Sequence, residues 1–221
     1  MYHTLLFDLD GTLTNSAEGI TKCVQYALQD AGIEEPDLNK LCKFIGPPLR
    51  ASFEKYYGFT PQQAEKATQK YRERYHNIGI YENEAYPGIL DLIHMQHAAK
   101  ITMGIATGKP EVYAIPIAQR FNFAPYMQTI VGSSLDGHMD NKALVIAEAL
   151  RRLNCNTPEE KPHVLLIGDR QEDVFAAHDN GIKCIGIGYG FGSRSELEKA
   201  GADYYAETIS DLQNLLQNLN S

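Results

Sequence analysis

Asp8 and Asp10 stand two residues apart at the end of the apolar run Leu5-Leu6-Phe7, and Gly11 follows them directly. On an extended strand, positions i and i+2 share one face, so both carboxylates address the same small volume. Gly11 lets the backbone turn away and leaves the acids at the carboxyl end of the strand, where open α/β sheets bind their ligands. Two acids so placed suit phosphoryl transfer, one attacking while the other moves protons. The same four residues also serve as a plain turn that closes a strand, so the distinction rests on partners further along the chain. A calcium loop does not fit, because that pattern wants its glycine at the sixth position and a glutamate at the twelfth.

Three partners follow. The apolar run Ile101–Ala106 ends in Thr107-Gly108, which sets a hydroxyl and backbone N–H groups at a second strand end, where they suit a phosphoryl oxygen. An ordinary Thr-Gly turn is the competing reading. Lys142 comes directly after Asp140-Asn141, at the start of a helical pattern. The helix macrodipole opposes a lysine there, and an anion beside it would account for the placement; a solvated surface lysine is the alternative. Val164–Ile167 empties into Gly168-Asp169-Arg170-Gln171-Glu172-Asp173. The spacing predicts Asp169 and Asp173 on one helical face, and with the first acid pair they make an oxygen-rich site that suits Mg²⁺. Helix capping is the alternative for these two.

The elements that must carry these residues alternate. Apolar runs at Thr4–Phe7, Ile101–Ala106, Thr129–Val131, Val164–Ile167 and Cys184–Ile187 are separated, in the later part, by helical patterns, which predicts an α/β fold with a mostly parallel sheet. Helical periods run through Ile89, Leu92, Ile93 and Gln96, through Ala143, Ile146, Ala147, Leu150 and Leu153, and through Leu212, Leu215, Leu216 and Leu219, the last opened by Ser210 with Gln213. Between Asn15 and Glu84 the pattern is helical without strands, which reads as an insertion. Its first stripe is Ile20, Val24, Ala27, Leu28 and Ala31, stopped by Gly32; its second starts at Thr60-Pro61 with Gln63 and continues through Ala64, Ala67 and Tyr71. The expected division is 1–14 with 85–221 against 15–84, with hinges near Thr14–Ser16 and Tyr81–Glu84. Arg50 is the residue of the insertion best suited to a substrate carboxylate or phosphate, and a surface arginine is the equal alternative. Tyr56, Tyr57, Tyr71 and Tyr75 read as packing. Gly186-Ile187-Gly188-Tyr189-Gly190-Phe191-Gly192 does not fit a dinucleotide fingerprint and reads as a loop near the cleft.

Composition narrows the function. The chain has 221 residues, 43% of them hydrophobic, enough for a real core. Its net charge of −8 disfavours nucleic acid as a partner. Four scattered cysteines and histidines without metal-ligand spacing suggest neither a disulfide framework nor a transition-metal site. With no basic leader and no apolar run approaching about 18 residues, a cytoplasmic protein that does not enter a membrane is expected.

In order, Phe7-Asp8-Leu9-Asp10-Gly11-Thr12-Leu13, then Thr107, then Lys142, then Gly168-Asp169-Arg170-Gln171-Glu172-Asp173 resembles the haloacid dehalogenase-like phosphatases over essentially the whole chain. The insertion, with Phe44-Ile45-Gly46-Pro47-Pro48-Leu49, is similar to the cap of the phosphoglycolate phosphatase-like and 5′-nucleotidase-like branch. The resemblance implies a Rossmann-like catalytic core, 1–14 and 85–221, with an α-helical cap at 15–84. It implies Asp8 as nucleophile, Asp10 as general acid and base, Thr107 as phosphoryl-holding hydroxyl and Lys142 as the cation beside the nucleophile. Mg²⁺ would be held by Asp8, the backbone carbonyl of Asp10 and Asp169, with Asp173 a further contact or an acceptor that orients Lys142. Gly11, Thr107, Gly108 and Arg50 are the expected substrate contacts. The implied substrate is a small phosphorylated metabolite such as phosphoglycolate or a nucleoside 5′-monophosphate. Asp10 argues against carbon–halogen hydrolysis, since a departing halide needs no proton. Gly108, and Asp140-Asn141 before Lys142, depart from the common pattern of related enzymes and bear on substrate detail. A phosphosugar mutase of the β-phosphoglucomutase type and a non-catalytic phosphorylation sensor are the alternatives.

Overall fold

β1 (Thr4–Phe7) has no exposed residue, as befits a strand covered on both faces. The computed structural model describes residues 1–220. After β1 the chain forms a short β2 (Thr14–Asn15), helices α1 (Ala17–Asp30), α2 (Leu49–Tyr57) and α3 (Pro61–Asn77), and returns through β3 (Glu84–Ala85). Helices and strands then alternate: α4 (Ile89–Ala98), β4 (Thr102–Pro110), α5 (Glu111–Arg120), β5 (Thr129–Ser133), α6 (Lys142–Arg152), β6 (Val164–Gly168), α7 (Gln171–Asp179), β7 (Lys183–Ile187), α8 (Arg194–Ala200), β8 (Tyr204–Ala206) and α9 (Ile209–Asn220). The main sheet has the order β5-β4-β1-β6-β7-β8, with every adjacent pair parallel, while β2 and β3 pair with each other. This is a Rossmann-like α/β sheet with β1 at its centre.

The chain divides into two units, one of Met1–Thr14 and everything from Ala85 onward, the other of Asn15–Glu84. In the first, Leu6, Val164 and Leu166 pack with Val145, Ile146, Ala149 and Leu150 of α6 and Val174 and Ala177 of α7. Leu166 is fully buried in that layer, so Leu166→Ala is expected to cost about 3 kcal/mol, measured as a lower urea midpoint with an unchanged slope. In the second unit, Ile20, Val24, Ala27 and Leu28 are buried on α1, whereas Ala31 caps that helix and is exposed. The Thr60–Gln63 capping box forms as the spacing predicts. Glu82 takes two hydrogen bonds from Arg74, at 2.7 and 3.0 Å, which fasten the end of α3 to the segment before β3. Among the described residues no helix is long and apolar enough to cross a membrane.

Three expectations need correction. β4 does not stop at Ala106 but continues through Thr107-Gly108-Lys109-Pro110, with a register shift against β5 between Thr107 and Pro110. β8 has no apolar run to announce it; it is only three residues, two of them tyrosines. The last helix is opened by Thr208 rather than Ser210: Thr208 Oγ1 accepts from the Asp211 N–H and Asp211 Oδ2 accepts from the Thr208 N–H.

Candidate active site

Parallel register decides which side chains meet. Phe7 is level with Ile105 on β4 and with Ile167 on β6, so the residues just past each strand emerge at one edge of the sheet. Asp8 and Asp10 follow β1, Thr107 lies in β4 and Asp169 follows β6. The Asp8 N–H donates to Ile167 O at 2.9 Å, tying the first acid to the neighbouring strand.

Asp169 and Asp173 do not share a helical face. Asp169 lies in the turn after β6, and Asp173 sits in the first turn of α7, where its Oδ2 accepts from the Arg170 N–H at 3.1 Å. The two acids converge because Asp169 precedes α7 and Asp173 reaches back from its first turn to the Arg170 N–H. Asp8, Asp169 and Asp173 are all buried, and each offers an oxygen within 4.8 Å of the others. Lys142, the first residue of α6, lies 2.5 Å from Asp8 Oδ1 and 2.8 Å from Asp173 Oδ1. The helix start itself is satisfied by the Asn141 side chain, which accepts from the Ala143 N–H. Burial alone would strip charge from Lys142, but Asp173 and Asp8 outweigh it and hold the ammonium well above its ordinary range.

Charge is crowded here. Burial is the main force raising the Asp169 carboxyl far above the usual carboxylate range, reinforced by Asp173 and Asp8. Burial also pushes Asp173 up to about 6, against the pull of Lys142 and with the push of Asp8. Asp169 Oδ2 accepts from the Phe191 N–H at 2.7 Å, while its Oδ1 is buried with no hydrogen-bond partner among the described residues. An oxygen-only donor set with an unsatisfied carboxylate oxygen fits a hard divalent cation such as Mg²⁺. Asp8, Asp169 and Asp173 could together hold such an ion.

A pH dependence follows. The Asp173 carboxyl, with its folded pKa raised, adds stability below the ordinary carboxylate range, and that stability is lost as pH rises through about 6. Without divalent ions the protein is therefore expected to melt lower near neutral pH than at about pH 5. Saturating Mg²⁺ should raise Tm more at neutral pH than at acid pH, read by differential scanning fluorimetry with EDTA as the reference.

Asp10 points elsewhere. Its Oδ2 lies 2.7 Å from Lys109 Nζ, and its Oδ1 is buried without a hydrogen-bond partner among the described residues. Residue type alone does not single out Lys109. Its signal is the spacing of two from Thr107, visible only once β4 is known to run on past the glycine. Thr107 is buried, and its Oγ1 accepts from the Lys109 N–H at 3.2 Å.

The glycine-rich run is part of the site rather than a loose loop. A Cβ at Gly190 would overlap the Asp169 side chain, and one at Gly11, where φ is +86°, would overlap the same carboxylate. Tyr189, within the run, donates its hydroxyl to Thr12 O at 3.2 Å and packs edge-on against Tyr86. Gly108 is exposed at the end of β4. Asp8, Asp10, Gly11, Thr107, Gly108, Lys142, Asp169 and Asp173 thus all belong to one unit. Arg50 belongs to the other: it lies on α2, with Nε 3.3 Å from Glu65 Oε2, and borders a groove of about 450 Å³ with Pro61, Lys66 and Gln69.

The chain is similar to known proteins along nearly its whole length. The haloacid dehalogenase-like hydrolase family matches residues 5–187. The chain is 43% identical over 216 residues to a 5′-nucleotidase of Pseudomonas aeruginosa, spanning 98% of this chain and 96% of that one. It is 32% identical over 214 residues to the tyrosine-protein kinase PtkA of Mycobacterium tuberculosis, spanning 96% of this chain and 72% of that protein. Among solved structures, that of a predicted phosphatase from Clostridium acetobutylicum is similar with a TM-score of 0.94 and 42% identity, covering 99% of each chain.

Proposed function

The chain belongs to the haloacid dehalogenase-like hydrolases and is an enzyme of their phosphatase kind, and we propose that it hydrolyses a small phosphate monoester through an aspartyl phosphate on Asp8, with Mg²⁺ as cofactor. The observation that carries this reading is the buried set of Asp8, Asp169 and Asp173 with Lys142 between two of them.

Asp8 attacks phosphorus with a carboxylate oxygen that Lys142 holds in place. The P–O bond to the leaving group breaks, and Asp10 supplies the proton that the departing oxygen needs. Thr107 and the backbone N–H of Gly108 hold the phosphoryl oxygens; the Gly11 N–H, expected to join them, instead donates to Thr14 O at 2.8 Å and serves the turn. In the second step Asp10, now a base, takes a proton from water; that water attacks phosphorus, inorganic phosphate leaves, and Asp8 is regenerated. Asp8, Asp169 and Asp173 would hold Mg²⁺, which when bound would supply positive charge against the charge developing in the reaction. Lys142 stabilises the same charge from the side of the nucleophile.

Residues 1–14 and 85–221 are assigned the chemistry. The inserted residues 15–84, Arg50 among them, are assigned the choice of leaving group. Of the two substrate classes, a nucleoside 5′-monophosphate has the support of the 5′-nucleotidase relative; phosphoglycolate is the second. A cytoplasmic setting accords with four free cysteines among the described residues. A mutase would depend on a bisphosphate activator, and a sensor gains nothing from a second acid at Asp10 placed for turnover.

The test is phosphate release from a panel of nucleoside monophosphates, phosphoglycolate and sugar phosphates, with Mg²⁺ and with EDTA. Release that needs Mg²⁺ and favours one class supports the proposal and names the substrate. Silence across the panel, or full activity in EDTA, contradicts it.

A further inference from the structure

We propose that Lys109 is a positioning residue that acts through Asp10, pinning one carboxylate oxygen so that the other is aimed at the leaving oxygen of the ester. The inference rests on the reading of Asp10 as proton donor given above. Lys109 Nζ is 2.7 Å from Asp10 Oδ2, and the two side chains are only 4% and 9% exposed. Asp10 Oδ1, by contrast, is buried and has no hydrogen-bond partner among the described residues. One oxygen is held and the other is kept vacant.

The two ammonium groups of the site are divided between the two acids of the first strand. Lys142 serves Asp8 and Asp173, and Lys109 serves Asp10. Lys109 is also tied into the strand end, since its N–H donates to the hydroxyl of Thr107, the residue assigned to the phosphoryl oxygens. The register shift of β4 between Thr107 and Pro110 lies where Lys109 reaches for Asp10. Phosphoryl holding and proton delivery are thereby set on one short piece of backbone.

A buried ion pair is poor evidence for a stability role, because desolvation offsets most of its attraction. Orientation is a better account. A carboxylate swings about two side-chain bonds, and a donor displaced by about 1 Å loses on the order of 10²-fold in rate. Direct phosphate binding by Lys109 is disfavoured by its engagement with Asp10 and its near-complete burial.

The experiment compares kcat/KM for two esters in wild type, Lys109→Met and Lys109→Arg at saturating Mg²⁺. A nucleoside 5′-monophosphate has an alkyl leaving oxygen that must be protonated; p-nitrophenyl phosphate releases a stable anion that needs no proton. Lys109→Met is expected to lower kcat/KM about 10²-fold on the alkyl ester and no more than about threefold on the aryl ester. Lys109→Arg should restore most of the alkyl activity. Should the methionine variant not fold, Lys109→Gln is read on the same pair. Equal losses on both esters, or no loss on the alkyl ester, overturn the role of Lys109 while leaving the phosphatase reading intact. A wild-type chain that releases phosphate from neither ester overturns the phosphatase reading, and this inference falls with it.

Discussion

Asp8→Asn is expected to abolish phosphate release, by about 10⁴-fold or more, without unfolding the protein. The amide has the shape of the carboxylate but no nucleophilic oxygen, and the backbone bond from the Asp8 N–H to Ile167 does not involve the side chain. The substitution also thins the charge. Asp8 is one of the groups that push the carboxyls of Asp169 and Asp173 up, and its removal leaves Lys142 paired with Asp173. In EDTA near neutral pH the variant should therefore melt no lower than wild type. An inactive variant with a much lower Tm would assign Asp8 to the structure instead of the chemistry. Steady-state kinetics and a melting curve on the same sample separate the two.

Lys142→Met has the second largest expected effect, on two readouts at once. Lys142 is the cation shared by two buried carboxylates, and its loss leaves both without a counter-charge. Breaking a buried pair from one side costs about 3 kcal/mol or more, and removing a charge stabiliser from the reacting centre costs about 10²- to 10³-fold in kcat. The two effects come apart in a double variant. Adding Asp173→Asn relieves the repulsion and should recover much of the stability in urea unfolding, yet none of the activity. Recovery of both would mean that Lys142 matters only as a counter-ion for Asp173.

The acid pair, the later acids and the lysine were legible as types at spacings, because each stands directly after an apolar strand or at a helix start. The alternation of strands and helices was legible for the same reason. What sequence could not show is direction. Asp169 and Asp173, spaced by four, looked like neighbours on a helix; they meet instead because Asp169 precedes α7 and Asp173 reaches back to the Arg170 N–H. Lys109 stayed hidden because a strand that continues past Thr107-Gly108 through a register shift looks identical to one that ends there. The packing of Gly190 and Gly11 against Asp169 was equally out of reach: about 180 positions separate the two glycines, and only the fold brings them to one side chain. Arg50 illustrates the opposite limit, since its residue type fits a substrate contact while its neighbour in its own unit is Glu65.

Central to this account is that Asp8, and no other residue, carries the phosphoryl group. The direct measurement uses Asp10→Asn, in which the intermediate forms from an activated ester but its hydrolysis is slowed for want of a base. The variant is mixed with p-nitrophenyl phosphate and Mg²⁺, quenched in acid, reduced with borohydride and mapped by mass spectrometry. A stoichiometric burst of p-nitrophenolate and homoserine at position 8 are predicted. A burst with homoserine at another position, or with position 8 unmodified, would contradict the assignment of Asp8 as the nucleophile.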